Sequence, residues 1–261
     1  MSPSAHRQLA ANVAWLAEVD STNEVVARLV ASWSEDDDDR LGDTLVVAER
    51  QSAGRGRGDH VWASPPGGLY ATWLGWITTV NLRWLPIAAG VCLAAAVEEA
   101  MPGIAAGLKW PNDVLVGGRK LGGVLCHSRT RGDVSWAAVG FGVNVGVVPE
   151  TAAGAGAGAT CLRALGLAGA TDAAIWTIAE SFVRGLRPAL ASSRSLAPAW
   201  LARTVHHRGD MLRVRKGDEV LVGAFVGLGA GGELDVEVAG TLHHISAGEL
   251  IGALPEAKAE D

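Results

Sequence analysis

Two short stretches of this chain combine cationic side chains with glycine. The first reads Gly54-Arg55-Gly56-Arg57-Gly58, and the second reads Lys109-Trp110-Pro111-Asn112-Asp113, with Lys120-Leu121-Gly122-Gly123 soon after it. Glycine alternating with arginine presents backbone N–H groups and guanidinium groups to an anion, although a flexible solvated turn explains the first stretch equally well. Because the chain of 261 residues carries a net charge of −6, two local cationic stretches predict a small anionic ligand rather than a generally basic surface.

The second stretch adds groups that can organise a phosphate or a metal ion. Lys109 and Lys120 supply charge, although a pair of surface lysines is common. Asn112 and Asp113 are typical turn residues, and the Asp113 carboxylate can also bind a divalent cation. Trp62, which follows the first stretch, can stack on a planar ring, but a buried core tryptophan is an equally good interpretation.

Composition excludes several classes of protein. Hydrophobic residues make up 49% of the chain and charged residues 19%, which predicts a folded core. The acidic balance argues against a nucleic-acid partner, and Cys92, Cys126 and Cys161 form no CxxC pair, so neither a disulfide framework nor a zinc site is predicted. The first 18 residues lack the apolar run of a signal peptide, and the apolar helix at 85–97 is too short to cross a bilayer. A cytoplasmic protein without membrane partners is expected.

Familiar nucleotide and hydrolase motifs do not occur. The chain has no P-loop, no HExxH helix, no EF-hand loop and no Gly-x-Ser-x-Gly elbow. Gly140-Phe141-Gly142 begins like a dinucleotide fingerprint but lacks the third glycine. Nucleotide chemistry therefore requires another kind of phosphate-binding loop.

Hydrophobic periodicity predicts the elements that must position these stretches. Helices are expected to begin at Asp20-Ser21-Thr22-Asn23 and to cover 85–101, 173–186 and 198–204, and strands are expected at 45–48, 69–76, 114–116, 119–126 and 135–145. After residue 209 only short alternating runs punctuated by glycine remain, at 212–215, 219–226, 234–238 and 242–246. This pattern predicts an α+β domain followed by a small β-barrel of about 45 residues.

Taken together, the motifs resemble those of biotin protein ligases. The residues that carry the resemblance lie in the order and spacing of that family, between about residue 18 and about residue 165; they are Ser21-Thr22-Asn23, residues 51–57, residues 109–113, residues 120–123 and Gly140-x-Gly142-x-Asn144. The resemblance implies a mixed-sheet α+β catalytic domain of the biotin/lipoate ligase type at 1–205. It also implies an SH3-like C-terminal β-barrel at 206–256.

The resemblance further implies a reaction in two steps. Biotin and ATP, with Mg²⁺, give biotinyl-5′-AMP and pyrophosphate, and a lysine of a biotin carboxyl carrier domain of acetyl-CoA or related acyl-CoA carboxylases then displaces AMP. Catalysis is assigned by resemblance to Lys120, Arg57 and Lys109. Biotin binding is assigned to Ser21, Thr22, Asn23, Gln51, Gly54, Arg55, Lys120, Gly123, Gly140 and Gly142. Nucleotide binding is assigned to Arg57, Trp62, Lys109, Asn112 and Asn144, and metal binding to Asp113.

Two features depart from the common family pattern. Many bacterial members continue the loop as Arg-x-Gly-Arg-x-Trp, whereas this chain reads Arg57-Gly58-Asp59-His60-Val61-Trp62 and resembles the eukaryotic type, which leaves the role of His60 open. Some members also carry an N-terminal winged-helix domain, which needs on the order of 60 residues. Because 20 residues precede Ser21, a ligase without a repressor role is expected.

Two alternatives stand beside this interpretation. A lipoate or octanoate ligase has a similar expected fold but would lack the Lys-Trp-Pro-Asn-Asp and Gly-Arg-Gly-Arg elements. A non-catalytic biotin-binding regulator would need an element that reads DNA, which neither the short N-terminus nor the acidic balance supplies. A monomer or weak homodimer is expected, and no residue is assigned as the base for the acceptor lysine.

Overall fold

Seven strands form one mixed sheet in the computed structural model, which describes residues 12–32, 43–131, 134–149 and 158–251. The order across the sheet is β1-β2-β3-β7-β6-β5-β4, with β1 parallel to β2 and the other neighbours antiparallel. The strands are β1 (Asn12–Val19), β2 (Thr44–Gln51), β3 (Leu69–Thr78), β4 (Gly107–Lys109), β5 (Asp113–Val116), β6 (Arg119–Arg131) and β7 (Val134–Val143). The predicted mixed sheet is confirmed, and the sequence patterns missed β1 and β4, which are its two edges.

Helices cover both faces of this sheet. The helices are α1 (Thr22–Ser32), α2 (Leu85–Ala100), α3 (Thr171–Ala191) and α4 (Ser193–Leu201), and a 3₁₀ segment (Thr79–Trp84) precedes α2. The side chains of α2 and α3 join the main core on one face, whereas Val26 of α1 packs on the other face against Val46, Leu74 and Trp136. The helix predicted at 198–204 begins five residues earlier, because Pro198 lies inside α4 rather than in its first turn.

The apolar helix α2 is longer when its 3₁₀ extension is included. The 22 residues Thr79–Ala100 are apolar enough, by length and composition alone, to cross a membrane, but 56% of their most apolar window is buried inside the fold. A helix that is apolar nearly all round and packed on several sides is typical of a protein core.

A tight hairpin joins β5 to β6 and brings the second cationic stretch together. Gly117 and Gly118 both have positive φ, at 57° and 73°, as a two-glycine hairpin turn requires. The register pairs Asp113 with Gly123 and places Lys120 opposite Leu115. Residues that are seven or more positions apart in sequence therefore become neighbours at one end of the sheet.

The C-terminal strands form a second, five-stranded antiparallel sheet in the order β11-β10-β9-β8-β12. Its strands are β8 (Met211–Lys216), β9 (Glu219–Leu228), β10 (Leu234–Val238), β11 (Thr241–Ile245) and β12 (Glu249–Leu250). The predicted strands are confirmed, but β11 and β12 remain the two edges in the described part of the chain, so closure into a barrel is not confirmed. Residues 252–256 of the predicted domain lie outside the described residues. Leu212, Val214 and Phe225 belong to the same apolar core as the larger sheet.

Candidate active site

The glycine–arginine stretch folds into a small hairpin. Trp62 N donates to Gly54 O at 2.9 Å, and Gly56 N donates to His60 O at 2.8 Å, while Arg55 bridges Val61 in antiparallel fashion. A side-chain carbon at Gly54 would collide with the carbonyl oxygen of Trp62 and lie 2.6 Å from Ser64 Oγ. Glycine at this position therefore lets the base of the hairpin close.

Lys120, Asp113 and Trp62 meet beside this hairpin. Lys120 Nζ lies 2.6 Å from Asp113 Oδ1, and the same ammonium lies 5.3 Å from the centroid of the Trp62 ring. The side chains of Lys120 and Asp113 are 27% and 21% exposed, so the ion pair is partly desolvated and still reachable by a ligand. A partly buried ammonium beside an aromatic face is suited to an anionic ligand that carries a flat group.

Arg57 connects the hairpin to the C-terminal sheet. Its Nη1 donates to the carbonyl oxygen of Gly248 at 2.8 Å, across 191 residues of sequence. Burial lowers the pKa of Arg57, and the negative charges of Glu249 and then Asp113 act in the opposite direction. A guanidinium stays charged in proteins and has five N–H donors, so donors remain for a ligand.

A polar network closes the other end of the site, where α1 meets the sheet. Thr22 N donates to Gln51 Oε1 at 2.8 Å, and Gln51 Nε2 donates to Ser64 Oγ at 2.7 Å. The buried hydroxyl of Thr72 lies 2.8 Å from both Thr22 Oγ1 and Asn23 Oδ1. Ser21, which is 2% exposed, precedes this network in sequence. Sequence reasoning missed Thr72 and Ser64, because each looks like an ordinary strand or loop residue until its distant partners are known.

Three glycines in strands β6 and β7, at positions 123, 140 and 142, allow other groups of the protein to pack closely against the sheet. A methyl group at Gly140 would lie 2.5 Å from Asn23 Oδ1, and one at Gly142 would lie 2.7 Å from Trp62 Nε1. At Gly123 the nearest atom would be the carbonyl oxygen of Asn112, at 3.1 Å. Asn23, Trp62 and the backbone of the second cationic stretch thus occupy the space beside these glycines.

Three polar atoms of this region are buried without a hydrogen-bond partner among the described residues: Trp62 Nε1, Asn144 Oδ1 and Thr160 Oγ1. The Asn144 amide nitrogen donates to Thr160 O at 3.0 Å, which orients its free oxygen. An unsatisfied buried polar atom costs about 1–3 kcal/mol, so a ligand that bonds these atoms would recover that energy. An unsatisfied donor and an unsatisfied acceptor are the kinds of group that bond the edge of a heterocyclic ring.

Other predicted site residues have partners elsewhere. Arg55 Nη2 lies 3.2 Å from Glu24 Oε1 on α1, and its side chain is 62% exposed. Lys109 pairs with Asp113 through the backbone of β4 and β5, and its charge acts on His206. Asn112 Nδ2 donates to Val124 O at 2.9 Å, which leaves its second amide N–H and its amide oxygen for a ligand. Of the four expected cations, Lys120 and Arg57 are the two whose charges meet near Asp113.

Asp113 is the carboxylate best placed to hold a divalent cation beside Lys120. In the parts of the chain that the structure describes, no group of three or more His, Cys, Asp or Glu side chains could hold a metal ion. A single carboxylate fits Mg²⁺, which usually takes one or two carboxylates and completes its shell with water and substrate phosphates.

Comparison with known proteins places this geometry in a family. A model of the biotin/lipoate A/B protein ligase family matches residues 16–144, which include the hairpin, the polar network and both cationic stretches. A biotin–[acetyl-CoA-carboxylase] ligase from Paracoccus denitrificans is 33% identical over 235 residues, which cover 84% of this chain and 91% of that protein. This chain belongs to the biotin protein ligase family.

Two further similar proteins match this chain over very different shares of their lengths. The structure of the biotin protein ligase from Aquifex aeolicus in complex with biotin and ATP aligns with a TM-score of 0.70 and 28% identity, over 92% of this chain and 97% of that one. A bifunctional ligase/repressor BirA from Bacillus subtilis is 38% identical over 113 residues, so the match spans 41% of this chain and only 34% of that protein. The C-terminal sheet, including Gly248, lies beyond the residues that the family model matches.

Proposed function

We propose that this biotin protein ligase joins biotin to AMP at the expense of ATP and transfers the biotinyl group to a lysine of a biotin carboxyl carrier domain. The carrier belongs to acetyl-CoA carboxylase or a related acyl-CoA carboxylase. The observation that carries the proposal is the Lys120–Asp113 ion pair against Trp62, reached by Arg57 from the hairpin. These four side chains supply the charges and the aromatic face that formation of biotinyl-5′-AMP requires.

The first step brings two anions together. The biotin carboxylate attacks the α-phosphorus of ATP, a P–O bond forms, and pyrophosphate leaves with the electrons of the broken P–O bond. At ~4 Å and an effective dielectric constant near 20, each pair of unit charges repels by about 4 kcal/mol. Lys120 and Arg57 offset this repulsion, and their charges matter most as the negative charge moves between the phosphate oxygens. Lys120 exchanges its contact with Asp113 for the substrate anions.

Biotin lies along the face of the sheet between the polar network and Lys120. Its ureido ring needs donors and acceptors at the end of an apolar slot, and Thr22, Gln51 and Asn23 form such an end. Gly140, Gly142 and Gly123 let Asn23, Trp62 and the backbone of the second cationic stretch lie close to the sheet, and the biotin tail runs past these groups toward the ammonium of Lys120. Gly54 and the backbone of Arg55 close the slot from the hairpin side.

The adenine ring binds at the opposite end, where Asn144 has its free oxygen and Trp62 its free N–H. Lys109 and the second amide N–H of Asn112 meet the phosphates. Asp113 would hold Mg²⁺, which supplies positive charge to the phosphate oxygens when it is bound.

In the second step the acceptor lysine must lose its proton before it attacks the acyl carbon and expels AMP. With an ordinary pKa near 10.4, deprotonation at pH 7 costs roughly 4.6 kcal/mol. Positioning of the lysine against the anhydride supplies most of the acceleration, since well-oriented reactants gain about 7–11 kcal/mol.

The chain divides into a catalytic domain at 1–205 and an SH3-like domain at 206–256. The five-stranded antiparallel sheet and the change of pattern after residue 209 support this division. The bond from Arg57 to Gly248 supports a role for the smaller domain in closing the site.

Biotin-dependent exchange of labelled pyrophosphate into ATP tests the proposal. The expected result is exchange with biotin and none with lipoate or octanoate. Exchange with lipoate instead would identify a lipoate ligase, and biotin binding without any exchange would identify a non-catalytic regulator. Either of those results would contradict the proposed reaction.

A further inference from the structure

We propose that a cavity where the larger sheet meets the C-terminal sheet binds the β- and γ-phosphates of ATP, and the pyrophosphate that they become, through Arg57 and Arg83. The inference rests on the proposed function, because ATP is its substrate and pyrophosphate its product. It adds Arg83 to the site, a residue that lies outside the motifs found in the sequence.

The cavity has a volume of about 210 Å³. It lies between the N-terminal turn of α2, the second cationic stretch, strand β6 and the C-terminal sheet, and its polar lining residues are Arg57, Arg83, Asn112 and Ser246. Pockets that hold a whole drug-sized molecule usually have volumes of about 300–1,000 Å³. This smaller volume is suited to one end of a nucleotide or to a small anion.

The lining carries positive charge that it does not balance. Among the described residues that line the cavity, none is Asp or Glu. The guanidinium of Arg83 has no ion pair or hydrogen bond with a residue that the structure describes, and Arg57 uses one of its five N–H donors for Gly248 O. Two arginines that line one cavity without a carboxylate predict a phosphate ligand, which arginine binds through paired N–H donors.

The C-terminal sheet limits where the stem of Arg83 can lie. A methyl group at Gly231 would lie 3.0 Å from Arg83 Cδ, and one at Gly232 would lie 3.2 Å from Trp84 Cε3. The loop between β9 and β10 therefore packs directly against the 3₁₀ segment that carries Arg83. The carboxylate of Glu233 in this loop accepts a hydrogen bond from Gly231 N at 2.8 Å, so it is engaged by its own loop.

The cavity adjoins the place where the α-phosphate reacts. Arg57 and Asn112 line it, and Asp113, which follows Asn112 in sequence, lies 2.6 Å from Lys120 Nζ. Since the β- and γ-phosphates are bonded directly to the α-phosphate, they can enter this cavity while the α-phosphate lies at Lys120. Cleavage of the P–O bond places negative charge on the leaving pyrophosphate, and Arg83 is a cation that stabilises this charge.

Arg83→Gln tests the cavity, because it removes the charge at an exposed side chain and spares the core. In the exchange assay, the half-saturating concentration of inorganic pyrophosphate and the KM for ATP should each rise about tenfold, as expected for the loss of a charge-assisted hydrogen bond. Arg83→Lys should recover part of the loss. Arg194→Gln, at an exposed arginine of α4, should behave like the parent.

The second step separates this role from general support of the site. Transfer of biotin from supplied biotinyl-5′-AMP to a carrier domain needs no pyrophosphate, so Arg83→Gln should transfer at the parental rate. AMP lacks the β- and γ-phosphates, and its affinity should also be unchanged. An unchanged half-saturating concentration of pyrophosphate, or a loss of transfer or of AMP affinity as large as the loss for ATP, would overturn the cavity assignment.

Calorimetric titration with inorganic pyrophosphate alone separates a failure of the cavity from a failure of the proposed function. The parent should bind pyrophosphate more tightly than inorganic phosphate, and Arg83→Gln should bind pyrophosphate about tenfold more weakly than the parent. A parent that binds pyrophosphate through Arg83 but catalyses no exchange would support the cavity and contradict the proposed function. Equal affinities of parent and variant, or equal affinities for phosphate and pyrophosphate, would contradict the cavity.

Discussion

At the scale of single residues, we propose that Lys120 is the group whose charge the first step needs most. We expect Lys120→Ala to slow pyrophosphate exchange by about 100-fold or more, because a preorganised cation at the reacting phosphate is worth that much. Binding of biotin, measured by calorimetry, should weaken far less, since the neutral end of biotin lies at the polar network. Lys216→Ala, at an exposed side chain of β8, serves as the control and should change neither quantity. Equal losses of binding and exchange in Lys120→Ala would mean that Lys120 only binds substrate.

We propose a different role for Arg57 at the same scale, which is to hold the product of the first step. We expect Arg57→Gly to form the adenylate but to let it escape about tenfold faster or more, since a charge-assisted hydrogen bond contributes about 1.5–3 kcal/mol. Escaped adenylate biotinylates lysines of bystander proteins, which a streptavidin blot measures. Arg213→Ala, an exposed arginine on β8, is the matched control. If Arg57→Gly labelled bystanders no more than the control did, the assigned role would be wrong.

At the scale of elements, the glycines of β7 determine how closely Trp62 approaches the sheet. A methyl group at Gly142 would lie 2.7 Å from Trp62 Nε1, so Gly142→Val should push the ring off Lys120 and block the slot. We expect biotin affinity to fall about tenfold or more with the fold retained, since losing a few well-packed contacts costs more than 1.4 kcal/mol. Calorimetric titration with biotin measures this affinity.

Gly90 in α2 is the control for that experiment. A methyl group there would meet only Leu108 Cδ2, at the ordinary contact distance of 3.7 Å. Gly90→Ala should therefore leave biotin affinity unchanged and raise the free energy of unfolding by up to about 1 kcal/mol, because alanine favours a helix more than glycine does. A loss of affinity in Gly90→Ala would show that the slot responds to core changes in general.

Apolar periodicity predicted the central strands because they are buried on both faces, as β2 and β3 are. It missed β1, whose side chains are mostly half-buried or exposed at the edge of the sheet, and β12, which is only two residues long. Linear motifs located Lys120, Asp113 and the hairpin. They could not locate Thr72 or Gly248, because these residues meet their partners across 50 and 191 residues of sequence. Such contacts depend on how the two sheets pack.

At the scale of the whole molecule, His206 makes stability depend on pH. It is 3% exposed, its ring lies 5.8 Å from that of Phe225, and both ring nitrogens lack a partner among the described residues. Burial, followed by the charge of Lys109, lowers the pKa of His206 to about 4 from its ordinary value of 6.5. Below about pH 6.5 the unfolded chain therefore takes up a proton that the folded chain refuses, and stability falls as the pH drops toward about 4.

We expect the free energy of unfolding to fall by nearly 3 kcal/mol, about the full effect of this one histidine, at the acidic end of the range. Urea unfolding at about pH 7 and about pH 4.5 gives the free energy that each protein loses on acidification. The loss in the parent minus the loss in His206→Leu is the contribution of His206, because the titration of carboxylates is common to both proteins and cancels. The variant should lose less stability on acidification, and His127→Gln, at an exposed histidine of β6, should lose as much as the parent. Identical losses in parent and His206→Leu would contradict a buried neutral imidazole.

Isolation of the activated intermediate tests the central claim most directly. The purified protein is incubated with biotin, ATP and Mg²⁺, passed rapidly through a desalting column, and the protein fraction is examined by mass spectrometry for the mixed anhydride of biotin and AMP. The account predicts that biotinyl-5′-AMP elutes with the parent, and that it disappears when a biotin carboxyl carrier domain is added and becomes biotinylated. Recovery of unchanged biotin and ATP alone, from protein that is folded and binds biotin, would contradict it.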